Sequence, residues 1–129
     1  MASAFEKFNL TGKTALITGA AGLLGIEHAA ALLESGATVV LTDIGEASLA
    51  AARKTLLRNA EARRIQTYVM DVSKPGAIRV VAESLAAEGL RIDILVNNAA
   101  IDPKVKGDQG VLTSVIILIW DYFLTSVLL

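Results

Sequence analysis

The sequence predicts an α/β fold in which a parallel sheet of about four strands carries helices on both faces. Short runs rich in β-branched residues alternate with longer segments of helical periodicity, a pattern typical of strand–helix–strand units. A glycine-rich turn joins the first of these strands to the first helix. Right-handed crossovers between parallel strands bring helices to both faces of a sheet, so the alternation predicts a layered architecture.

The predicted elements follow one another without an internal repeat or linker. Four apolar runs predict strands, at residues 14–18, 38–43, 65–70 and 92–97. Three segments of helical periodicity separate them. The first runs from residue 23 to a stop at Gly36, and the second from residue 46 to about residue 61. The third runs from an N-cap at Ser73 to residue 88 and is followed by Gly89.

Composition excludes several classes of function. With 129 residues the chain has room for one domain, and 12 basic against 13 acidic residues leave no basic excess for nucleic-acid binding. The absence of cysteine excludes disulfides and thiolate metal sites. The first eight residues are too short and too mixed for a secretory signal, so we expect a cytoplasmic protein without a metal.

The segment from Thr18 to Gly25 is the first candidate site. Unpaired N–H groups and the positive end of the helix dipole lie at a helix start, so a phosphate can bind there where glycine removes the side chain. Such turns also occur where a helix and a strand merely pack closely, so the turn alone leaves both interpretations open. The candidate contacts in this segment are Gly19, Ala21, Gly22, Leu23, Leu24 and Gly25.

Asp43, followed by Ile44, ends the second predicted strand. Its separation from Gly25 is close to the ~20 residues at which an acid reaches the ribose hydroxyls of a dinucleotide. A carboxylate there repels the 2′-phosphate of NADP, and Ala20 and Ala21 offer no compensating positive charge, so NAD is the expected cofactor. A solvated carboxylate at a strand end is the alternative interpretation.

Polar motifs also follow the third and fourth predicted strands. Asp71 and Val72 come after the third, and Asn97, Asn98 and Ala99 come after the fourth. An open α/β sheet binds its ligand outside the carboxyl ends of its strands, so these residues are further candidate cofactor contacts. The two asparagines are alternatively turn residues, since asparagine tolerates left-handed backbone.

These motifs, in this order, resemble those of the short-chain dehydrogenases/reductases. Residues 18–25 look like the glycine motif of that family, Asp43 like its NAD-selecting acid, residues 71–72 like its adenine-contacting pair, and residues 97–100 like its Asn-Asn-Ala-Gly signature. The resemblance covers residues 9–103 and implies a Rossmann-type fold and hydride transfer between NAD(H) and an alcohol or carbonyl. The sequence departs from the family pattern at two positions. The middle glycine of the glycine motif, Gly22, comes one position early, and Ala100 replaces the glycine of the Asn-Asn-Ala-Gly signature.

The resemblance also implies a catalytic Ser, a Tyr, and a Lys four residues after that Tyr. The two tyrosines, Tyr68 and Tyr122, are followed at this spacing by Val72 and Ser126. We therefore carry over no catalytic residue and expect the cofactor-binding part of an oxidoreductase, truncated after about four strands. Three interpretations stay open: a truncated dehydrogenase, a dehydrogenase completed by another chain, and a non-catalytic dinucleotide-binding or interaction module.

Residues 111–129 form an apolar segment whose single charge is Asp121. Its length approaches the ≈ 20 residues of a membrane helix, but a central aspartate costs ~3 kcal/mol on insertion scales, so we expect a buried helix and no membrane span. It resembles the next helix of the family, which implies a homo-oligomer, within a single domain of residues 1–129. An extended portion or a reading-frame accident in this segment stays open.

Overall fold

The computed structural model describes residues 3–100 of the chain. In this range the elements are α1 (Ala4–Lys7), β1 (Thr14–Thr18), α2 (Leu23–Glu34), β2 (Thr38–Asp43), α3 (Glu46–Leu56), a 3₁₀ turn (Ala62–Arg64), β3 (Ile65–Val69), α4 (Pro75–Ala87) and β4 (Ile94–Val96). Strands and helices alternate from β1 to β4, as the sequence predicts. The apolar segment 111–129 lies outside the described residues.

The four strands of the described region form one parallel sheet in the order β3-β2-β1-β4. The central strand β1 pairs with β2, where Ile17 lies opposite Leu41, and with β4, where Ile17 lies opposite Val96. The chain moves outward from β1 to β3 and then returns to the other side of β1. Such a reversal creates a crevice at the carboxyl ends of the strands, and ligands of open α/β sheets bind there.

The core has two layers, one on each face of the sheet. Successive side chains of a strand point to opposite faces, so Leu16 and Ile17 of β1 belong to different layers. Leu16 packs with buried residues of α4, including Ile78 and Leu85. Ile17 packs with buried residues of α2 and α3, such as Leu49. The predicted arrangement, a Rossmann-type parallel sheet with helices on both faces, is confirmed for the described part of the chain.

The second predicted helix and the fourth predicted strand are shorter than expected. Helix α3 ends at Leu56 rather than near residue 61, and the chain forms the 3₁₀ turn before β3. At the fourth strand, the Asp93 backbone N–H donates to the Thr14 carbonyl while the Asp93 carboxylate accepts from the Thr14 N–H, at 2.9 and 3.0 Å. Because a side chain replaces one backbone partner there, regular pairing begins only at Ile94.

The start of α4 differs from the prediction by one residue. The N-cap is Lys74 rather than Ser73, and it provides no side-chain cap. The Ser73 hydroxyl instead donates to the Asp71 carboxylate at 2.6 Å, because that acceptor lies two residues earlier in the same turn. The predicted helix stops are confirmed: Gly36 and Gly89 follow α2 and α4 with φ of 102° and 72°, where glycine avoids the strain of a side chain. Within residues 3–100, no helix combines the length and apolar character that a membrane crossing requires.

Candidate functional site

A cleft of about 650 Å³ lies at the carboxyl ends of the four strands. It is the crevice that the reversal of strand order creates. The residues that line it lie at or just after the ends of the four strands and at the start of α2: Gly19, Gly22, Leu23, Leu24, Asp43, Ile44, Met70, Asp71, Val72, Ser73, Asn98, Ala99 and Ala100. The cleft therefore brings together the four motifs that were selected separately from the sequence.

Gly19 forms the tight turn that leaves β1. Its φ is 61°, a left-handed conformation that residues with a side chain rarely adopt. A Cβ atom on Gly19 would lie 2.8 Å from the Cα of Ala99 and 3.3 Å from Nδ2 of Asn98. Glycine is therefore required here by the backbone conformation and by the close approach of the segment after β4.

Gly25 permits close packing of α2 against the end of β1. A Cβ atom on Gly25 would lie 2.5 Å from the carbonyl oxygen of Gly19 and 2.7 Å from the Cα of Ala20. Both neighbours are backbone atoms and cannot move aside cheaply. Gly25 is buried and does not line the cleft, so its requirement comes from helix–strand packing.

The start of α2 faces the cleft with free backbone donors. The first helical backbone bond runs from the Ile26 N–H to the carbonyl of Gly22, the N-cap residue, which has no side chain to cap the helix. The N–H groups of Leu23, Leu24 and Gly25 have no partner among residues 3–100. Because these donors lie at the positive end of the helix dipole, this end of α2 favours a negatively charged group.

The Asp43 carboxylate lies between the glycine turn and the end of β2. One of its oxygens accepts a hydrogen bond from the Ala21 N–H at 3.0 Å, and the other accepts from the Ile44 N–H at 2.7 Å. Asp43 is partly buried and lines the cleft, so its charge faces any ligand there. Ala21 itself does not line the cleft, and it contributes through this hydrogen bond.

The Asp71 carboxylate is also fixed by its neighbours. Its Oδ1 accepts hydrogen bonds from the Ser73 hydroxyl at 2.6 Å and from the Ser73 N–H at 2.9 Å. These two bonds, with the charge of Lys74 4.0 Å from Oδ2, lower the pKa of Asp71 below its ordinary value. The cleft therefore carries a carboxylate that favours its ionised form on the side where β3 ends.

Thr18 links the glycine turn to the segment after β4. Its buried hydroxyl accepts hydrogen bonds from the N–H groups of Asn98 at 3.1 Å and Ala99 at 3.0 Å, and it donates to the carbonyl of Val96. Asn98 returns a hydrogen bond from its side-chain amide to the Gly19 carbonyl at 3.1 Å. Thr18 begins the segment that the sequence indicates but was not among its candidate contacts, although a hydroxyl at the end of an apolar run is a signal that a buried polar partner must exist.

Of the predicted site residues, Ala21, Gly25 and Asn97 lie outside the lining of the cleft, and the others line it. Asn97 is exposed, whereas its neighbour Asn98 is partly buried and bonded to the glycine turn. Met70, Ser73 and Ala100 line the cleft and were not selected from the sequence. Whether the lining residues contact a cofactor stays a prediction.

Apolar side chains form part of the cleft wall. Leu23 is 91% exposed, Leu24 68% and Ile44 70%, which is unusual for large aliphatic residues. All three line the cleft, and Val72 joins them from the end of β3. The wall thus combines helix-end donors and carboxylates with aliphatic surface, which suits a ligand that has both charged groups and flat apolar rings.

Residues 13–117 match the family model described as short chain dehydrogenase. The chain belongs to the short-chain dehydrogenase family. The match begins just before β1 and includes every residue that lines the cleft. Members of the short-chain dehydrogenase family bind a nicotinamide dinucleotide. The cleft lies at the carboxyl ends of the strands, where open α/β sheets bind ligands of this type.

Individual short-chain dehydrogenases agree with this assignment. The short chain dehydrogenase/reductase dpmpG of Macrophomina phaseolina (strain MS6) is 42% identical over 100 residues, covering 78% of this chain and 57% of that protein. The 2-dehydro-3-deoxy-D-gluconate 5-dehydrogenase of Bacillus subtilis is 38% identical over 104 residues, covering 81% of this chain and 39% of that protein. The chain thus spans between 39% and 57% of the length of these two relatives.

The fold is also that of solved short-chain dehydrogenase structures. The active-site complex of Pseudomonas aeruginosa RhlG with NADP superposes on this chain with a TM-score of 0.77 at 30% identity. The superposition covers 91% of this chain and 47% of RhlG. The likeness therefore extends over nearly the whole chain and over about half of its structural neighbour.

Proposed function

We propose that the chain binds NAD and forms the cofactor-binding part of an oxidoreductase that transfers a hydride between NAD(H) and an alcohol or carbonyl compound. Membership of the short-chain dehydrogenase family supports hydride transfer as the reaction, and the residues that line the cleft support NAD as the cofactor. The observation that carries the proposal is the Asp43 carboxylate, which is fixed at the cleft by the N–H groups of Ala21 and Ile44.

The residues of the cleft fit a dinucleotide. Gly19 and Gly22 place no side chain in the cleft, and the free N–H groups at the start of α2 suit the negatively charged diphosphate. The aliphatic Ile44 and Val72 suit the flat face of a nucleobase. When bound, the nicotinamide ring supplies the group that accepts or donates the hydride.

The preference for NAD over NADP follows from charge. A carboxylate fixed by two backbone donors can accept hydrogen bonds from ribose hydroxyls, whereas it repels a 2′-phosphate. No lysine or arginine lines the described cleft, and Asp43 forms no ion pair with a described residue. The NADP bound in the RhlG structure is a property of that protein, and we propose the opposite preference here.

No catalytic residue is assigned within this chain. Neither of its tyrosines is followed four residues later by a lysine. We propose that residues 1–129 form one NAD-binding domain, that the apolar segment 111–129 mediates self-association, and that the protein works in the cytoplasm. Sedimentation of the full chain at increasing concentration tests the second point, because a strictly monomeric sample would contradict it.

Calorimetric titration of the full chain with NAD and with NADP tests the proposal. We expect measurable heat with NAD and a dissociation constant for NADP at least about tenfold higher, since a tenfold ratio requires only ~1.4 kcal/mol of repulsion. Absence of heat with either cofactor would reject the cofactor site. An alcohol-oxidation assay on the same sample then separates an enzyme from a module that binds the cofactor without turnover.

A further inference from the structure

Leu23 occupies an unexpected place in the cleft. It is the first residue of α2, directly after the N-cap Gly22, and it lines the cleft. Its side chain is 91% exposed, so the described residues bury almost none of it. Because Leu23 gains little stability from packing on the described residues, its effect on a ligand is the property to consider.

The direction of the Leu23 side chain follows from helix geometry. Every Cα–Cβ bond of an α-helix tilts toward the N-terminus of that helix. A side chain in the first turn therefore extends past the helix start. The free N–H groups of Leu23, Leu24 and Gly25 point toward the same end. The isobutyl group of Leu23 thus borders the space from which an anion approaches these donors.

Of the three glycines near Leu23, packing inside the protein requires two and leaves the third free to vary. Gly19 and Gly25 are required by contacts inside the protein, since a Cβ on either would lie less than 3.0 Å from backbone atoms. At Gly22 a Cβ would meet only the Gly19 carbonyl, at 3.5 Å, which is ordinary contact. Packing therefore does not require a glycine at position 22. The next residue, Leu23, places a large side chain in the cleft wall.

We propose that Leu23 limits the approach of phosphate groups to the start of α2 and thereby lowers the affinity of the chain for a dinucleotide. The proposal rests on the proposed function, because it concerns the same cleft. It assigns Leu23 the role of an affinity-determining residue: the side chain keeps a bound diphosphate from using all the free N–H donors. A smaller residue at position 23 restores direct contact between the donors and the anion.

The test compares the unmodified 129-residue chain with Leu23→Gly and Leu23→Ala. NAD carries the diphosphate, whereas adenosine carries no phosphate, so the two probes separate the phosphate contact from the base contact. We expect Leu23→Gly to lower the dissociation constant for NAD about tenfold, equal to one additional charge-assisted hydrogen bond. We expect a smaller gain for Leu23→Ala and an unchanged dissociation constant for adenosine with both variants.

A matched control isolates the effect of glycine on the helix. Ala31 is exposed on α2 and lies outside the cleft lining, so Ala31→Gly weakens the same helix without widening the cleft. A gain in NAD affinity with Ala31→Gly as large as that with Leu23→Gly would overturn the proposal, because helix loosening would then explain it. Circular dichroism of each variant verifies the fold, and Leu23→Ala keeps a good helix former should the glycine variant unfold.

The outcomes separate this proposal from the proposed function. If the wild-type chain binds NAD and Leu23→Gly binds it equally well or more weakly, the Leu23 proposal is wrong and the NAD site stands. If neither the wild-type chain nor any folded Leu23 variant binds NAD, the proposed cofactor function is wrong, and the Leu23 proposal falls with it. If only the Leu23 variants bind NAD, the obstruction is supported directly.

Discussion

The carboxylate of Asp43 accepts a hydrogen bond from the backbone N–H of Ala21 at 3.0 Å. This contact joins the end of β2 to the glycine turn between β1 and α2. The residue that we propose selects NAD is therefore also a structural partner of the turn that we propose binds the diphosphate. A change at Asp43 is expected to affect both properties, and the two effects can be separated by the choice of substitution.

Asp43→Asn is expected to raise the affinity for NADP relative to NAD by about tenfold, because it removes the charge that repels the 2′-phosphate. The amide oxygen still accepts one of the two backbone hydrogen bonds, so the turn is largely kept. Calorimetric dissociation constants for both cofactors measure the ratio. Glu46→Gln is the control, since Glu46 is an exposed acid at the start of α3 outside the cleft lining. An equal change of the ratio in both variants would contradict a specific role for Asp43.

Gly25→Ala is expected to destabilise the fold by about 1–3 kcal/mol, the usual cost of overpacking. Its new methyl group would lie 2.5 Å from the Gly19 carbonyl oxygen, so the glycine turn or α2 must shift. Urea unfolding followed by circular dichroism measures the loss. At Gly76 of α4 a new methyl group would have nothing within 4 Å, so Gly76→Ala is the control and is expected to stabilise by up to ~1 kcal/mol. Equal stability of the two variants would refute the packing argument.

Thr18→Val is expected to cost about 1–3 kcal/mol, because it leaves the Ala99 N–H without its acceptor. The Asn98 N–H loses one of its two acceptors and keeps the Val96 carbonyl at 3.0 Å. The valine has nearly the same volume, so the loss reports the hydroxyl and not a cavity. Thr18→Ser keeps the hydroxyl and should recover most of the stability. Thr55→Val serves as control, since the Thr55 hydroxyl donates to the Ala51 carbonyl on the exposed side of α3. A Thr18→Val variant as stable as Thr55→Val would show that Thr18 does not hold the two segments together.

The Ser73 hydroxyl is expected to make stability depend on pH through Asp71. Its hydrogen bond is the largest cause that lowers the pKa of Asp71 below the ordinary value of 3.8. Because the pKa of Asp71 is lower in the folded than in the unfolded state, Asp71 stabilises the fold at pH values above its unfolded-state pKa. This stabilisation is lost as the pH falls through the folded-state pKa of Asp71. Ser73→Ala should therefore lose stability near neutral pH and show a shallower decline on acidification.

Urea unfolding of the wild type and Ser73→Ala between about pH 6 and about pH 2.5 measures this decline across the range in which Asp71 takes up its proton. Ser84→Ala is the matched control, because the Ser84 hydroxyl donates to the Val80 carbonyl within α4 and to no carboxylate of the described residues. Ser84→Ala should follow the wild-type pH profile. If Ser73→Ala declines as steeply as the wild type, the Ser73 hydroxyl does not control the protonation of Asp71.

Local patterns predicted most of the fold. The β-branched runs placed β1 and β2 at their observed ends, because a buried parallel strand needs apolar residues on both faces. Gly36 and Gly89 predicted two helix ends, since each is needed for a left-handed turn. Two of the errors lie at β4 and at the N-cap of α4. There a carboxylate, of Asp93 in one case and Asp71 in the other, competes for local hydrogen bonds that periodicity does not register.

The sequence by itself determined the order of strands and helices, the glycine turn, and the four motifs of the cleft, because each depends on residues close together in the chain. Only the tertiary structure decided which motif residues face the cleft. Asn98 faces it and Asn97 does not, because the Asn98 N–H and side-chain amide bond to Thr18 and Gly19, about 80 residues away in the chain. Likewise, the exposure of Leu23 became visible only once α2 was packed against the sheet. Contacts between distant segments have no local sequence pattern, so they depend on the folded sheet that brings the segments together.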